Sequence, residues 1–397
     1  MSAVGLDAAP VWITAVSRTP VTARSRAQAH LGAGELAAGP VGEVAAGTHP
    51  AAVVLGNGAG PGGNVARIAA LAAGLGVATP GWTVDAQCGA GLVAVAQAAG
   101  HAVATGRACV GGGVESPSTA PERSIDGVSY AQAPMVPAGW DDPGMTAAAD
   151  ALAAARGIGR ARQESFAARS HVLALAGGLR LPDDDGPRRL AAAALARFRA
   201  VTPGADSATA VTGATAARIA DGAAAVLVTP HSAVVRETDG VSTASVRGVD
   251  VLRPCRVLSW SLTGVDPALP GLGLVSAVRD ALDAAGRTLE GVAVVELVEA
   301  YAAQVLAALD DLGLTGVSGT SAPGASGPAT AHDPWGVDPR VNAAGGALAL
   351  GHPWGASGAV AVVHAVRRLQ AEPPGAVGLA ACAVGGGMGA AMVLEVA

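Results

Sequence analysis

The sequence predicts an α/β fold made of two similar halves, with an insertion in the first. Three observations carry that expectation. Short β-like runs alternate with helical ones along the N-terminal third, as in layered α/β domains. A glycine-rich turn, a helix and a strand ending in VGGG occur twice, once from Cys88 and once from Gly351. Between Pro117 and Gly204 the texture shifts to proline, aspartate and arginine. The expected division is residues 1–116 and 205–240 for the first half, 117–204 for an inserted lid and 241–397 for the second half.

Taken in order, "VWITAV" and "AAVVLGNG" are strand candidates, the second ending in a glycine turn. "NVARIAALAAGLG" has helical spacing and a glycine stop. "WTVDAQ" reads as extended, the run after Cys88 as a helix and "ACVGGGVES" as a strand. The helices of the lid are expected to be short. Strand patterning resumes at "DGAAAVLVTP", and the second half is expected to begin near "ASVRGVDVL". It holds a helix at "GLVSAVRDALDAAG", then "VAVVELVEAYAAQVLAAL" and a flexible stretch, "GVSGTSAPGASGPATAHDPWG". The chain closes with "VNAAGGALALGHPWGASGAVAVVHAVRRL" and "AVGLAACAVGGGMGAAMVLEV".

With 397 residues, 51% of them hydrophobic, the chain can bury a sizeable core. Its formal charge of −6 and aromatic content of 3% give no reason to expect a nucleic-acid surface. Every basic side chain is arginine or histidine, since lysine is absent. The four cysteines are scattered without a CxxC pair, which argues against a zinc site or a disulfide framework. The start, "MSAVGLDAAPVWITAV", lacks the pattern of a secretory signal. Apolar runs are expected to break short of a membrane span. A cytoplasmic location without membrane association is the resulting expectation. The triple glycines lack G-x-G-x-x-G spacing, so no dinucleotide site is read into them.

Cys88 stands at the seam between an extended run and a helix. Exposed N–H groups and the helix dipole are expected to favour its thiolate. Gly89, Ala90 and Gly91 would let a substrate approach the backbone. Two readings are open, a buried structural cysteine and a nucleophile. A nucleophile needs a base, and His352 occupies the corresponding glycine-flanked turn of the second half. The other histidines lie in ordinary helix or loop contexts. The internal repeat therefore pairs Cys88 with His352.

The blocks "SRTP", "GPGGNVARIAA", "CGAGLVAV", "GGGVES", "DGAAAVLV", "VEAYAAQ", "VNAAGGALALGHPWGASGA" and "GGGMGAAMVLE" fall in one order along nearly the whole chain. In this the sequence resembles the thiolases, which make or cleave 3-oxoacyl thioesters through an acyl-cysteine. The resemblance implies a five-layered αβαβα thiolase fold and an acyltransferase, with a lid at 117–204 that is shortened against the family's usual one. It makes Cys88 the nucleophile and His352 the base and later part of an oxyanion hole, with the N–H groups of Cys88 and Gly385 as a second oxyanion hole. The implied substrate is a coenzyme A thioester or a phosphopantetheine-linked acyl group, with no permanently bound cofactor or metal. An acyl-carrier protein is the alternative donor, and Arg197 and Arg199 are candidates to meet it. A homodimer is expected to form through the edge of "ACVGGGVES".

Two departures stand out. Thiolases carry Asn-Glu-Ala-Phe where this chain has Val298-Glu299-Ala300-Tyr301, and that asparagine holds a water which, with the histidine, binds the enolate oxygen. The family's second cysteine, which moves the α-proton, aligns with Ala383, and Cys382 falls one residue early. Neighbouring side chains on a strand face opposite ways, so Cys382 would be catalytic only if a bulge turned it back. A divergent member in a specialised biosynthetic pathway is expected in preference to a housekeeping 3-ketoacyl-CoA thiolase. The other class of reading is a non-catalytic partner subunit, which would need neither Cys88 nor His352.

Overall fold

A computed structural model of the chain describes residues 3–6, 10–130, 133–231, 252–316 and 333–397. The first half contributes strands β1 (Val11–Arg18), β2 (Val53–Gly56), β3 (Gly81–Val84), β4 (Cys109–Glu115) and β5 (Ala220–Pro230). The second contributes β6 (Cys255–Gly264), β7 (Val292–Leu297), β8 (Val377–Val384) and β9 (Met388–Val396). They lie in the order β7-β8-β9-β6-β1-β5-β4-β2-β3. Read outward from the β6–β1 seam, each half repeats one scheme. Two antiparallel pairings (β1/β5 and β5/β4; β6/β9 and β9/β8) are followed by a parallel one (β4/β2; β8/β7). The halves join where Cys255 pairs with Ile13 and Arg256 with Trp12. The repeat seen in the sequence is therefore a repeat of topology. In the first half β3 adds a further parallel strand beside β2. In the second, a parallel bridge between Val295 and Val341 takes that place.

The helices are α1 (Ala33–Val44), α2 (Val65–Ala72), α3 (Ala90–Thr105), α4 (Met145–Arg156), α5 (Arg160–Ala176), α6 (Gly273–Ala284), α7 (Ala302–Asp311) and α8 (Trp354–Leu369). Three apolar clusters show how they layer. Leu36 and Val41 of α1 and Ala69 of α2 pack on Leu55, Val110 and Leu227 of the first half. Val278 of α6 and Leu309 of α7 pack on Leu258, Leu379 and Val393 of the second. Between the two sheet portions Leu92 and Val95 of α3 meet Val362 and Val363 of α8, together with Val226 and Met392. The result is five layers, with α3 and α8 in the middle. Each buried valine or leucine contributes roughly 1.5–3 kcal/mol of transfer free energy, so the middle pair is firmly held.

Four expectations need correcting or bounding. The stretch Gln87–Thr105 is long and apolar enough to cross a membrane, so apolar runs do not all break short of a span. Its apolarity has a packing cause, because Leu92, Val95, Ala98 and Ala99 are wholly buried between layers. The lid helices are not short, since α5 has 17 residues. β4 is not an edge strand. It pairs with β2 on one side and β5 on the other, and β3 terminates that side of the sheet. The 240/241 boundary and most of the stretch "GVSGTSAPGASGPATAHDPWG" lie outside the described residues.

Candidate active site

The middle helices start at the same place. α3 and α8 approach so closely at their N-termini that a Cβ on Gly91 would sit 2.7 Å from the Gly355 carbonyl oxygen. A Cβ on Gly358 would lie 2.9 Å from Leu92 Cβ, and one on Gly113 of β4 2.2 Å from the same Gly355 oxygen. The small residues after Cys88 and His352 thus let two helix starts touch. This brings residues 264 positions apart within reach of each other.

Cys88 lies in a 3₁₀ turn, Gln87–Gly89, ahead of α3. Gln87 takes a positive φ of 49°, which few residues adopt outside glycine. Its N–H donates to Asp85 Oδ1 at 3.0 Å, which holds that turn. On the other side Gly351 has φ +120°, a value that requires glycine. The His352 N–H donates to the Arg218 carbonyl at 2.8 Å, fixing the backbone beside β5.

His352 Nε2 stands 3.3 Å from Cys88 Sγ, and its Nδ1 stands 2.7 Å from Ser357 Oγ. The Ser357 hydroxyl donates to the Pro353 carbonyl at 3.4 Å. That direction leaves Ser357 Oγ to accept from Nδ1–H, so Nε2 is the nitrogen free to accept the thiol proton. Burial pushes the His352 imidazole down to about 4. Burial, with the Glu115 charge behind it, pushes the Cys88 thiol up to about 12, against the N–H groups of Cys88 and Gly385. This corrects the expected thiolate. Desolvation outweighs the helix start, which favours a neutral thiol beside a neutral imidazole at rest.

Both residues line a cavity of about 430 Å³ together with Met135, Met145, Leu152, Tyr301, Ala383 and Gly385. Tyr301 Oη and Thr146 Oγ1 are 3.1 Å apart on its wall. Cys382 is not brought there. The register of β8 against β9 runs unbroken from Val377 to Val384, so no bulge rotates it. Its thiol is fully buried in the middle-layer cluster, and Ala383 is the residue that faces the cavity. Val298 is buried as well and borders a separate small cavity with Glu296, Ser357 and His364. Arg197 and Arg199 are exposed.

Sequence reading missed two residues that organise the site. Glu115 is fully buried and accepts from Asn57 Nδ2 (2.8 Å) and the N–H groups of Gly58 (3.1 Å), Ala59 (2.9 Å) and Gly355 (2.9 Å). It ties the loop after β2 to the start of α8. Glu299 does the same in the second half, accepting from Ser170 Oγ (2.6 Å), Asn342 Nδ2 (2.6 Å) and the Leu348 N–H (3.2 Å). A carboxylate placed next to an apolar strand was the available signal for both. Among the described residues no group of three or more His, Cys, Asp or Glu side chains is placed to hold a metal ion.

Residues 11–177 match the thiolase N-terminal domain model and residues 253–396 the thiolase C-terminal domain model. The chain belongs to the thiolase family. It is accordingly an acyltransferase. Curated family members include an acetyl-CoA acetyltransferase of Chromobacterium violaceum, 35% identical over 377 residues and covering 85% of each chain. A 3-ketoacyl-CoA thiolase of Pseudoalteromonas translucida is 33% identical over 359 residues, covering 84% of this chain and 82% of the relative. Among solved structures, the acetyl-CoA acetyltransferase of Bacillus anthracis superposes with a TM-score of 0.80 at 26% identity, over 98% of this chain and 99% of that one. The thiolase fold expected from the sequence is the fold observed.

Proposed function

We propose that this thiolase takes an acyl group from an acyl-CoA onto Cys88 and passes it to a second acceptor. The single observation that carries the reading is the 3.3 Å approach of His352 Nε2 to Cys88 Sγ in the lining of the cavity. As sulfur attacks the thioester carbonyl, Nε2 takes the thiol proton. The carbon–sulfur bond to coenzyme A then breaks, and the departing thiolate receives that proton back. Charge on the carbonyl oxygen would be met by the N–H groups of Cys88 and Gly385, which lie near enough to the sulfur to offset part of the effect of burial on it. A neutral resting pair suits this, because proton transfer accompanies attack on a bound thioester and an empty cavity holds no reactive thiolate.

Coenzyme A is favoured as the carrier because the relatives are named for acetyl-CoA and 3-ketoacyl-CoA. A homodimer is proposed through β3, whose outer edge would otherwise leave backbone groups unpaired. The test is intact-mass measurement after incubation with acetyl-CoA and longer acyl-CoAs, with the same acyl groups on carrier proteins as a second arm. The protein should gain one acyl group, and Cys88→Ala should gain none. An adduct that persists in Cys88→Ala would remove the assignment.

A further inference from the structure

Acylation by a simple thioester and acylation by a 3-oxoacyl thioester make different demands on the cavity. In the second case Cys88 Sγ bonds to C3, and the C2–C3 bond breaks with its electron pair flowing towards the thioester. The thioester oxygen becomes an enolate oxygen. The proton that His352 took from Cys88 then returns to C2, so the products are acyl-Cys88 and the shortened thioester. Atoms balance with these residues alone. Beside the Nε2–H that His352 carries at that stage, the demand left over is a second hydrogen-bond donor for the enolate oxygen, one that simple acylation does not use.

We infer that the Tyr301 hydroxyl, held by Thr146, is that donor. The reading rests on the acyl-cysteine proposal above and extends it. Tyr301 lines the same cavity as Cys88 and His352, and its oxygen has Thr146 Oγ1 at 3.1 Å. When the threonine donates, the phenol O–H is left to point at substrate. Val298, three residues earlier on the same loop, has no polar group and lies against the small neighbouring cavity instead. The loop between them is rigid. The Ala217 N–H donates to the Ala300 carbonyl and the Ala302 N–H to the Thr215 carbonyl, both at 2.9 Å. A donor fixed this way needs little reorganisation when charge develops. Burial raises the phenol above its usual range, and the nearby Cys88 adds to the effect, so the group stays protonated at neutral pH.

The test uses single-turnover acetylation of Cys88, read by intact mass, from two probes: acetyl-CoA and acetoacetyl-CoA. Tyr301→Phe keeps the ring and its packing. It should slow acetylation from acetoacetyl-CoA about 10²-fold more than acetylation from acetyl-CoA, the usual loss for one such donor. Thr146→Val should slow the acetoacetyl-CoA route in the same direction by a smaller factor, since it only positions the phenol. Equal slowing from both probes, no slowing from either, or a wild-type protein acetylated by acetyl-CoA alone would each overturn the role of Tyr301. Absence of any wild-type adduct from both probes would instead overturn the acyl-cysteine reading beneath it.

Discussion

The turn before α3 and the turn before α8 hold the same position in two copies of one topology, yet they carry opposite chemical parts. The first presents Cys88 from a 3₁₀ turn strained at Gln87. The second presents His352 after Gly351, with Ser357 one helical turn further on to orient the ring. Their supports differ as well. The first turn follows a complete strand, β3, and the second follows the bridge at Val341. A duplicated frame brings two helix starts face to face. Divergence of the two turns then places donor and acceptor of one proton across the seam.

The strongest break in that comparison is loss of either part. Cys88→Ala should abolish the adduct, and His352→Ala should slow acylation by about 10²–10⁴-fold, as expected for a lost general base. The pH profile sharpens the point. His352 is held down to about 4, so it remains able to accept a proton well below the ordinary histidine range. Wild-type acylation by acetyl-CoA should therefore stay level from pH 8 to pH 6 and fall only as pH approaches about 4, where the imidazole becomes charged. A midpoint near 6.5 in rapid-quench measurements would show that burial does not govern the ring.

Separating the turns mechanically should come next. A methyl group on Gly113 would meet the Gly355 carbonyl oxygen at 2.2 Å and Gly91 Cα at 2.9 Å, and neither is a side chain that can yield. Gly113→Ala should cost at least about 1–3 kcal/mol and move Cys88 away from His352. Thermal melting and acylation rate should fall together. Retained activity at a lowered melting temperature would mean that the contact is not set by this packing.

Glu115→Gln tests the tie between the turns more gently. Glutamine keeps one acceptor oxygen and turns its amide N–H groups towards backbone donors, leaving at least one of them unpaired at a cost of about 1–3 kcal/mol. It also removes the charge that raises the Cys88 thiol. The protein should melt earlier, and the pH at which iodoacetamide labels Cys88 should shift down. An upward shift would contradict the electrostatic part of this account.

The smallest effect is expected on the far face of β8. Cys382→Ala exchanges a buried thiol for a methyl group behind the cavity, so acylation should be unchanged and stability should drop by about 1 kcal/mol. Ala383→Cys places a thiol on the cavity side. Loss of acylation in Cys382→Ala would show that the two faces of β8 have been assigned the wrong way round.

Sequence alone determined the layered α/β class, the two halves and the pairing of Cys88 with His352. Each rests on local pattern: strand and helix periodicity, glycine at helix starts, and a repeat that assigns equivalent turns. The alternation of strand side chains also told Cys382 from Ala383 once the register was known to be unbroken. Tertiary structure decided what depends on distant neighbours. The helix start after Cys88 suggested a thiolate, but the surrounding layers and Glu115 desolvate and oppose that charge. "ACVGGGVES" looked like a free edge, yet β2 and β5 cover both of its sides. Glu115 reads as one acidic residue after a run of glycines, and its partners Asn57 and Gly355 lie 58 and 240 positions away. Tyr301 reads as a conservative aromatic, and only the fold puts its hydroxyl beside Thr146, 155 residues earlier. Burial, sheet neighbours and long-range hydrogen bonds are properties of the packed chain, and no window of the sequence contains both partners.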